Sequence, residues 1–285
     1  MTDKIAEKTI AQQTELALRQ LDSLEISPSV AAVCFSKLIE PQFAPASLAE
    51  VIESEPVLAA KMFSLLYQHG VNTAEEKLSL RQAIDRLPAQ AIRDAIFAIK
   101  VSAASEEGEV SRADLIKHCL ATACCAGKIA AAVKMDTGMC YCAGLLHDIG
   151  KIALQQLMPK SFAIITEEAK QQQSSICQAE QKHLGLDHAV FGKRVAQRWH
   201  LPDDVEIAIW LHHSDTATIS GNIPEAKIAQ VIQLADLTAR RCGIGKSGSY
   251  DTVDSSGQLA ESLGITENQL EKIREELPEL VKKRR

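Results

Sequence analysis

Imidazole and carboxylate side chains are the natural ligands of a hydrolytic metal ion, and this chain spaces them in a telling order. His118 is followed by the doublet His147-Asp148, then by His212-His213, then by Asp236. Each lies in a segment whose apolar spacing predicts a helix. Polar side chains on apolar helix faces are costly to bury unless something satisfies them. A bound metal ion satisfies all of them at once. The chemistry it would bring is hydrolysis, through a water made acidic near neutral pH; the alternative is a metal site inherited from a hydrolase.

Taken singly, each residue keeps a plainer explanation. Asp236 lies four residues after Ile232, on the face of Ile228, Val231 and Ala235. It could instead be a capping aspartate or pair with Arg240. His147 and Asp148 are flanked by Leu145, Leu146 and Ile149, which predicts a buried helix running through them. Adjacent helical residues diverge by about 100°, so both reach one ion only in the notch between them. Lys151, one turn on, could enter the same pocket or snorkel to the surface. His118 follows Leu115 by three residues and could be a packed core histidine. His212 and His213 end the apolar run Ile207-Ala208-Ile209-Trp210-Leu211, where one of them could simply favour the negative helix terminus. His188 opens a helix that Asp187 is placed to cap, which makes it a further candidate ligand. His69, His183 and His200 read as structural or surface residues. Imidazole with carboxylate suits one or two ions of Fe, Mn, Ni or Mg rather than a cysteine-rich zinc site.

All these residues must be positioned by helices. Ser47-Leu48-Ala49-Glu50 and Ser79-Leu80-Arg81-Gln82 read as capping boxes. Pro28, Pro56 and Pro88 sit where a first helical turn accepts proline. Gly70 is placed to end the helix that contains Met62 to Tyr67. The acidic stretch Ser105-Glu106-Glu107-Gly108-Glu109 is the candidate boundary, with about five short helices before it. After it, helices are expected to start near Arg112, Gly138, Pro159, Ile176, His188, Asp203 and Pro224. Residues 245–257 read as a Gly/Ser-rich loop, with a final helix or two from Gln258. Strand signals are weak, and the fold class is all-α. The expected organisation is an N-terminal helical subdomain over 1–107, with a leading helix. A metal-binding helical bundle with a C-terminal extension follows over 108–285.

The bulk properties narrow the function. The 285 residues are 46% hydrophobic and carry a formal charge of -6, which argues against a nonspecific nucleic-acid binder. The basic end Lys282-Lys283-Arg284-Arg285 reads as a solvated tail. No apolar run reads as a membrane span, and Met1-Thr2-Asp3-Lys4 lacks an apolar signal core. A cytoplasmic protein is expected, with no membrane or nucleic-acid partner. None of the eight cysteines forms a C-x-x-C pair, so reduced, mostly buried thiols are expected.

The stretch Gly144-Leu145-Leu146-His147-Asp148-Ile149-Gly150-Lys151 resembles the HD superfamily of metal-dependent phosphohydrolases. Over roughly Leu24 to Asp236, the chain is more specifically similar to the HDOD family, the HD-related output domains of bacterial signalling proteins. The segments Ser47 to Leu66, Leu80 to Arg93, Leu184 to Ala189, Trp199 to Pro202 and Ile207 to His213 carry that likeness. The resemblance implies an all-α fold, with metal ligands at His118, His147, Asp148 and Asp236. In the related HD-GYP phosphodiesterases further histidines bind a second metal, and the matching positions are His188, His212 and His213. Two departures stand out. Ser214-Asp215-Thr216-Ala217-Thr218 replaces the Gly-Tyr-Pro signature that reads cyclic di-GMP. Tyr67-Gln68-His69-Gly70 replaces the family's usual Asn-Ser pair.

Two functions follow as expectations. One is a metal-dependent phosphohydrolase acting on a phosphoester or nucleotide, with Asp148 and Lys151 as catalytic residues. The other is a noncatalytic signalling or scaffold module that uses any metal structurally and docks a protein partner.

Overall fold

The computed structural model describes residues 12–40, 42–102, 108–214, 227–251 and 255–284. Helices dominate, as expected. After a helical stretch over 12–19 come α1 (Pro28–Leu38), α2 (Ala49–Ile52), α3 (Pro56–Gln68), α4 (Leu80–Arg86) and α5 (Ala89–Ala98). Then follow α6 (Arg112–Ala132), α7 (Thr137–Leu146), α8 (Ile149–Leu157), α9 (Pro159–Gln171), α10 (Ile176–Leu184), α11 (His188–Arg198) and α12 (Asp203–Leu211). The chain closes with α13 (Lys227–Arg241), α14 (Ser256–Leu263) and α15 (Glu267–Lys283).

Several local signals act as the sequence predicts. Ser79 and Gln82 form a reciprocal capping box at α4. Pro28 and Pro56 occupy the first turns of α1 and α3. Gly70 takes a φ of 81° just past α3, where an L side chain would be strained. Others differ. Ser47 caps nothing; it lies inside a 3-10 turn, Pro45–Leu48, and its hydroxyl donates to the Ala44 carbonyl. Pro45, already set for a first turn, starts that turn ahead of the serine. Pro88 is the residue before α5 rather than its first turn, with an extended ψ of 134°. Glu25–Ile26 pairs in parallel with Lys100–Val101, two residues a side being too short to leave an alternating pattern. Pro224 and residues 105–107 of the candidate boundary lie outside the described residues.

Helix α6 is central: α7, α13 and α15 all pack against it. Its middle, Ala121 to Ala126, is made of small buried residues. Gly144 of α7 sits so close that an added Cβ would lie 2.8 Å from the Ala123 Cα and 2.9 Å from the Thr122 carbonyl oxygen. This close crossing brings His118 on α6 alongside the end of α7. The sequence expectation of no span-length apolar run needs correcting here. Arg112–Ala132 is 21 residues long and apolar enough to cross a membrane, but 67% of its most apolar window is buried inside the protein. It is the core helix of the bundle. One continuous apolar core includes Leu48, Phe63 and Ile84 from the first part of the chain and Leu145, Ile152 and Val231 from the second.

Candidate metal centre

Four helix ends and two helix interiors meet at one buried point. The largest difference from the sequence expectation is at His147-Asp148. No helix runs through the doublet: His147 ends α7 and Asp148 begins α8, with Asp148 at φ -100° and ψ 19°. This break removes the divergence that a regular helix would impose on neighbouring side chains. His118 and Asp236 come from the interiors of α6 and α13, His188 from the first position of α11, and His212 from the end of α12. Asp187 caps α11 as expected, accepting from Val190 N at 2.9 Å.

Asp148 is the hub. Its Oδ2 lies 3.3 Å from His147 Nε2, 3.8 Å from His118 Nε2 and 2.9 Å from Lys151 Nζ. Its Oδ1 lies 3.4 Å from His188 Nε2 and 3.5 Å from His212 Nε2. Asp236 Oδ1 approaches His118 Nε2 at 2.9 Å and His147 Nε2 at 4.0 Å. His213 Nε2 is 3.0 Å from His188 Nε2. All eight residues singled out in the sequence therefore converge. His118, His147, Asp148, Lys151, His188, His212 and Asp236 are buried, whereas His213 is exposed. Lys151 does not snorkel; it is 1% exposed and donates to Asp148. Arg240 pairs with Asp251 rather than Asp236. His69 ends α3, His183 bonds Glu168, and His200 stacks on Tyr67, all outside the cluster.

The donor geometry tests whether a metal ion fits. The Nδ1 atoms of His147 and His212 lie 2.8 Å from the carbonyls of Gly144 and Ile209. A carbonyl can only accept, so these Nδ1 atoms carry ring protons and each Nε2 is the atom turned toward the cluster. His188 Nε2 and His212 Nε2 face each other at 3.3 Å. Among the buried atoms left without a hydrogen-bond partner are His118 Nε2, His147 Nε2 and Asp148 Oδ1. Ring nitrogens and carboxylate oxygens packed this closely, several of them without a partner, call for a cation. A proton can serve at His147, where burial is outweighed by Asp148 and the imidazole is raised, but it is a poor one at His188, where burial and then Lys151 hold the ring well below its ordinary range. The residues thus fit a divalent ion.

The ligand atoms form two groups, each lying within 4.8 Å of one another: His118, His147 and Asp148, and then Asp148, His188, His212 and His213. Asp148 belongs to both, offering a different oxygen to each. Burial pushes Asp148 up, but His147 and Lys151 outweigh it and hold the carboxyl well below the usual range. Burial likewise works against Asp236, and His118 reverses it. Lys151 loses to burial and gains more from Asp148, so its net shift is upward and it stays charged.

Sequence reasoning missed Glu180. It is fully buried on α10; its Oε2 accepts from the His188 backbone N–H at 2.8 Å and lies 2.7 Å from His188 Nδ1. Burial pushes it up to about 8, with Lys151 and the His188 backbone pulling it back. The signal was available: Glu180 lies four residues from Ile176 and four from Leu184, on the apolar face. Together with Cys177 and His188 it makes a third group of close ligand atoms.

Comparison with known proteins agrees with this architecture. The HDOD domain profile matches residues 24–215. An uncharacterized protein of Treponema pallidum is 21% identical over 247 residues, 80% of this chain and 45% of its own length. Ribonuclease Y of Desulfotalea psychrophila is 28% identical over 134 residues, 47% of this chain and 19% of its own length. This chain thus spans less than half the length of either relative. The crystal structure of the MmoQ response regulator from Methylococcus capsulatus superposes with a TM-score of 0.66 at 20% identity, covering 89% of this chain and 98% of that one. At that identity the likeness is one of fold.

Proposed function

Because this chain belongs to the HDOD-domain family, we propose that it is a bacterial signalling protein whose buried His/Asp centre binds divalent metal and hydrolyses a phosphoester. The observation that carries this reading is the convergence of imidazole Nε2 atoms on the two oxygens of Asp148. His118, His147, Asp148 and Asp236 would hold one ion; Asp148, His188, His212 and His213 would hold a second. Bound there, divalent metal supplies an acidified water near neutral pH and neutralises phosphoryl charge.

The chain's own residues supply the rest. Asp148 holds the two groups in register through its separate oxygens. Lys151 keeps Asp148 ionised and places a fixed positive charge beside the centre, where phosphoryl oxygens would gain negative charge. His213, the exposed member, marks the side from which a phosphate-bearing small molecule would enter. Likeness to a protein named Ribonuclease Y agrees with phosphodiester chemistry, and likeness to a response regulator agrees with a signalling setting and a protein partner. The missing Gly-Tyr-Pro signature argues for a substrate other than cyclic di-GMP.

The test is metal analysis of purified protein, paired with turnover of a generic phosphodiester, for wild type and His147→Ala. Stoichiometric Fe, Mn, Ni or Mg and turnover, both lost in His147→Ala, are expected. Stoichiometric metal without turnover on varied phosphoesters would leave the noncatalytic signalling module. Folded protein that takes up no metal would overturn the metal centre itself.

A further inference from the structure

Glu180 is a buried carboxyl that, among the described residues, has no lysine or arginine in direct contact. One of its oxygens, Oε2, accepts from the His188 backbone N–H and lies 2.7 Å from His188 Nδ1. The other, Oε1, is buried without a hydrogen-bond partner. Such a group is expensive to keep in an interior. Capping α11 does not require it, since Asp187 already does that. Among the described residues, its hydrogen-bonding contacts are with the one histidine that reaches Asp148, His212 and His213 together.

We infer that Glu180 is the positioning residue of the second ion group. With the backbone N–H already donating to Oε2, a ring proton on Nδ1 completes that oxygen's pair of bonds. His188 is thereby fixed in rotation and tautomer, and its Nε2 lone pair is aimed at Asp148 Oδ1, 3.4 Å away. Carboxylates behind ligating histidines act in this way: they set the tautomer and raise ligand basicity. The inference rests on the metal-centre reading above, so its test carries one readout that needs no metal.

The experiment uses the full chain as wild type, Glu180→Gln, Glu180→Leu and His188→Ala. Ring nitrogen NMR of EDTA-stripped protein reads the His188 tautomer, and Mn2+ titration reads affinity. Wild type is expected to show Nδ1–H at His188. Glu180→Leu is expected to lose that preference and to bind Mn2+ about 10- to 100-fold more weakly at one of two sites. Glu180→Gln, whose amide oxygen can accept the same two bonds, should keep the tautomer and rescue most of the affinity. A merely structural glutamate would change the melting temperature without separating Gln from Leu in either readout, and that result would overturn the inference. So would Nε2–H at His188 in wild type, the outcome if a protonated Glu180 donates to Nδ1. If Glu180→Leu fails to fold, the wild-type tautomer and the Gln variant still decide. Wild type that keeps Nδ1–H but binds no Mn2+ supports the tautomer assignment while sinking the metal centre.

Discussion

Removing Asp148 should destabilise the metal-free protein because it strands Lys151. The ammonium is 1% exposed and lies 2.9 Å from Asp148 Oδ2. At an effective dielectric of about 20, that separation corresponds to a Coulomb attraction of roughly 6 kcal/mol. Desolvation offsets part of it, and losing one partner of a buried pair typically costs about 3–5 kcal/mol. His147 can shed a proton once Asp148 is gone, but Lys151 cannot do so cheaply at pH 7. Asp148→Ala should therefore lower the melting temperature by roughly 6–20 °C, taking about 2–4 °C per kcal/mol for a chain of this size. The double variant Asp148→Ala/Lys151→Met removes the stranded charge and should recover most of the loss, within about 1–2 kcal/mol of wild type. Calorimetric melting in EDTA at pH 7 measures both. A single variant as stable as the double, or one costing under about 1 kcal/mol, would refute the claim that Lys151 depends on Asp148.

Other expectations are independent of the centre or only border it. Glu55 is buried, and burial, opposed by Arg112 and the Val57 N–H, pushes it up to about 7. The native state then holds that proton more tightly than the unfolded chain. Its contribution is full below an unfolded pKa of about 4.5 and falls by about 3 kcal/mol as pH rises through 7. Glu55→Gln should flatten the stability profile in that window, read from melting temperatures at pH 5 and pH 8. Gly150→Ala should cost at least about 2 kcal/mol and displace His188, because an added Cβ would overlap the His188 carbonyl and lie 2.9 Å from Gly192 N; denaturant melts and Mn2+ titration check both. Arg284 bonds Glu53 at 2.7 Å but is 40% exposed, so Arg284→Ala should shift stability by about 1 kcal/mol or less.

Much of the centre was legible because its signals were local. A histidine or aspartate at a fixed step from Leu115, Ile232 or Leu211 announces a polar group on an apolar face. What escaped depended on contacts distant in sequence or on turns. The break between α7 and α8 is hidden because Leu145, Leu146 and Ile149 read as one apolar run, and no glycine or proline falls at residues 147–148. Glu180 carries no metal-ligand motif of its own, although its spacing to Ile176 and Leu184 gives the same buried-face signal as Asp236's. Ser47 misled because Pro45, two residues earlier, starts a tighter turn. The short parallel pair of Glu25–Ile26 with Lys100–Val101 is made by tertiary contact, and so few residues leave no period to read.

The crossing of α8 and α11 has a consequence for tolerance to change. Gly150 and Gly192 leave bare main chain against main chain, with Gly192 placing an added Cβ 3.3 Å from Gly150 N. The spacing between Asp148 and His188 is thereby gauged by peptide dimensions, which evolution cannot retune, rather than by interlocking side chains, which it constantly does. Repacking of the surrounding interior can drift by tenths of an ångström while these two ligands keep their separation. The same rigidity leaves no slack: a methyl group at the joint is the smallest possible change and also a large error for the site.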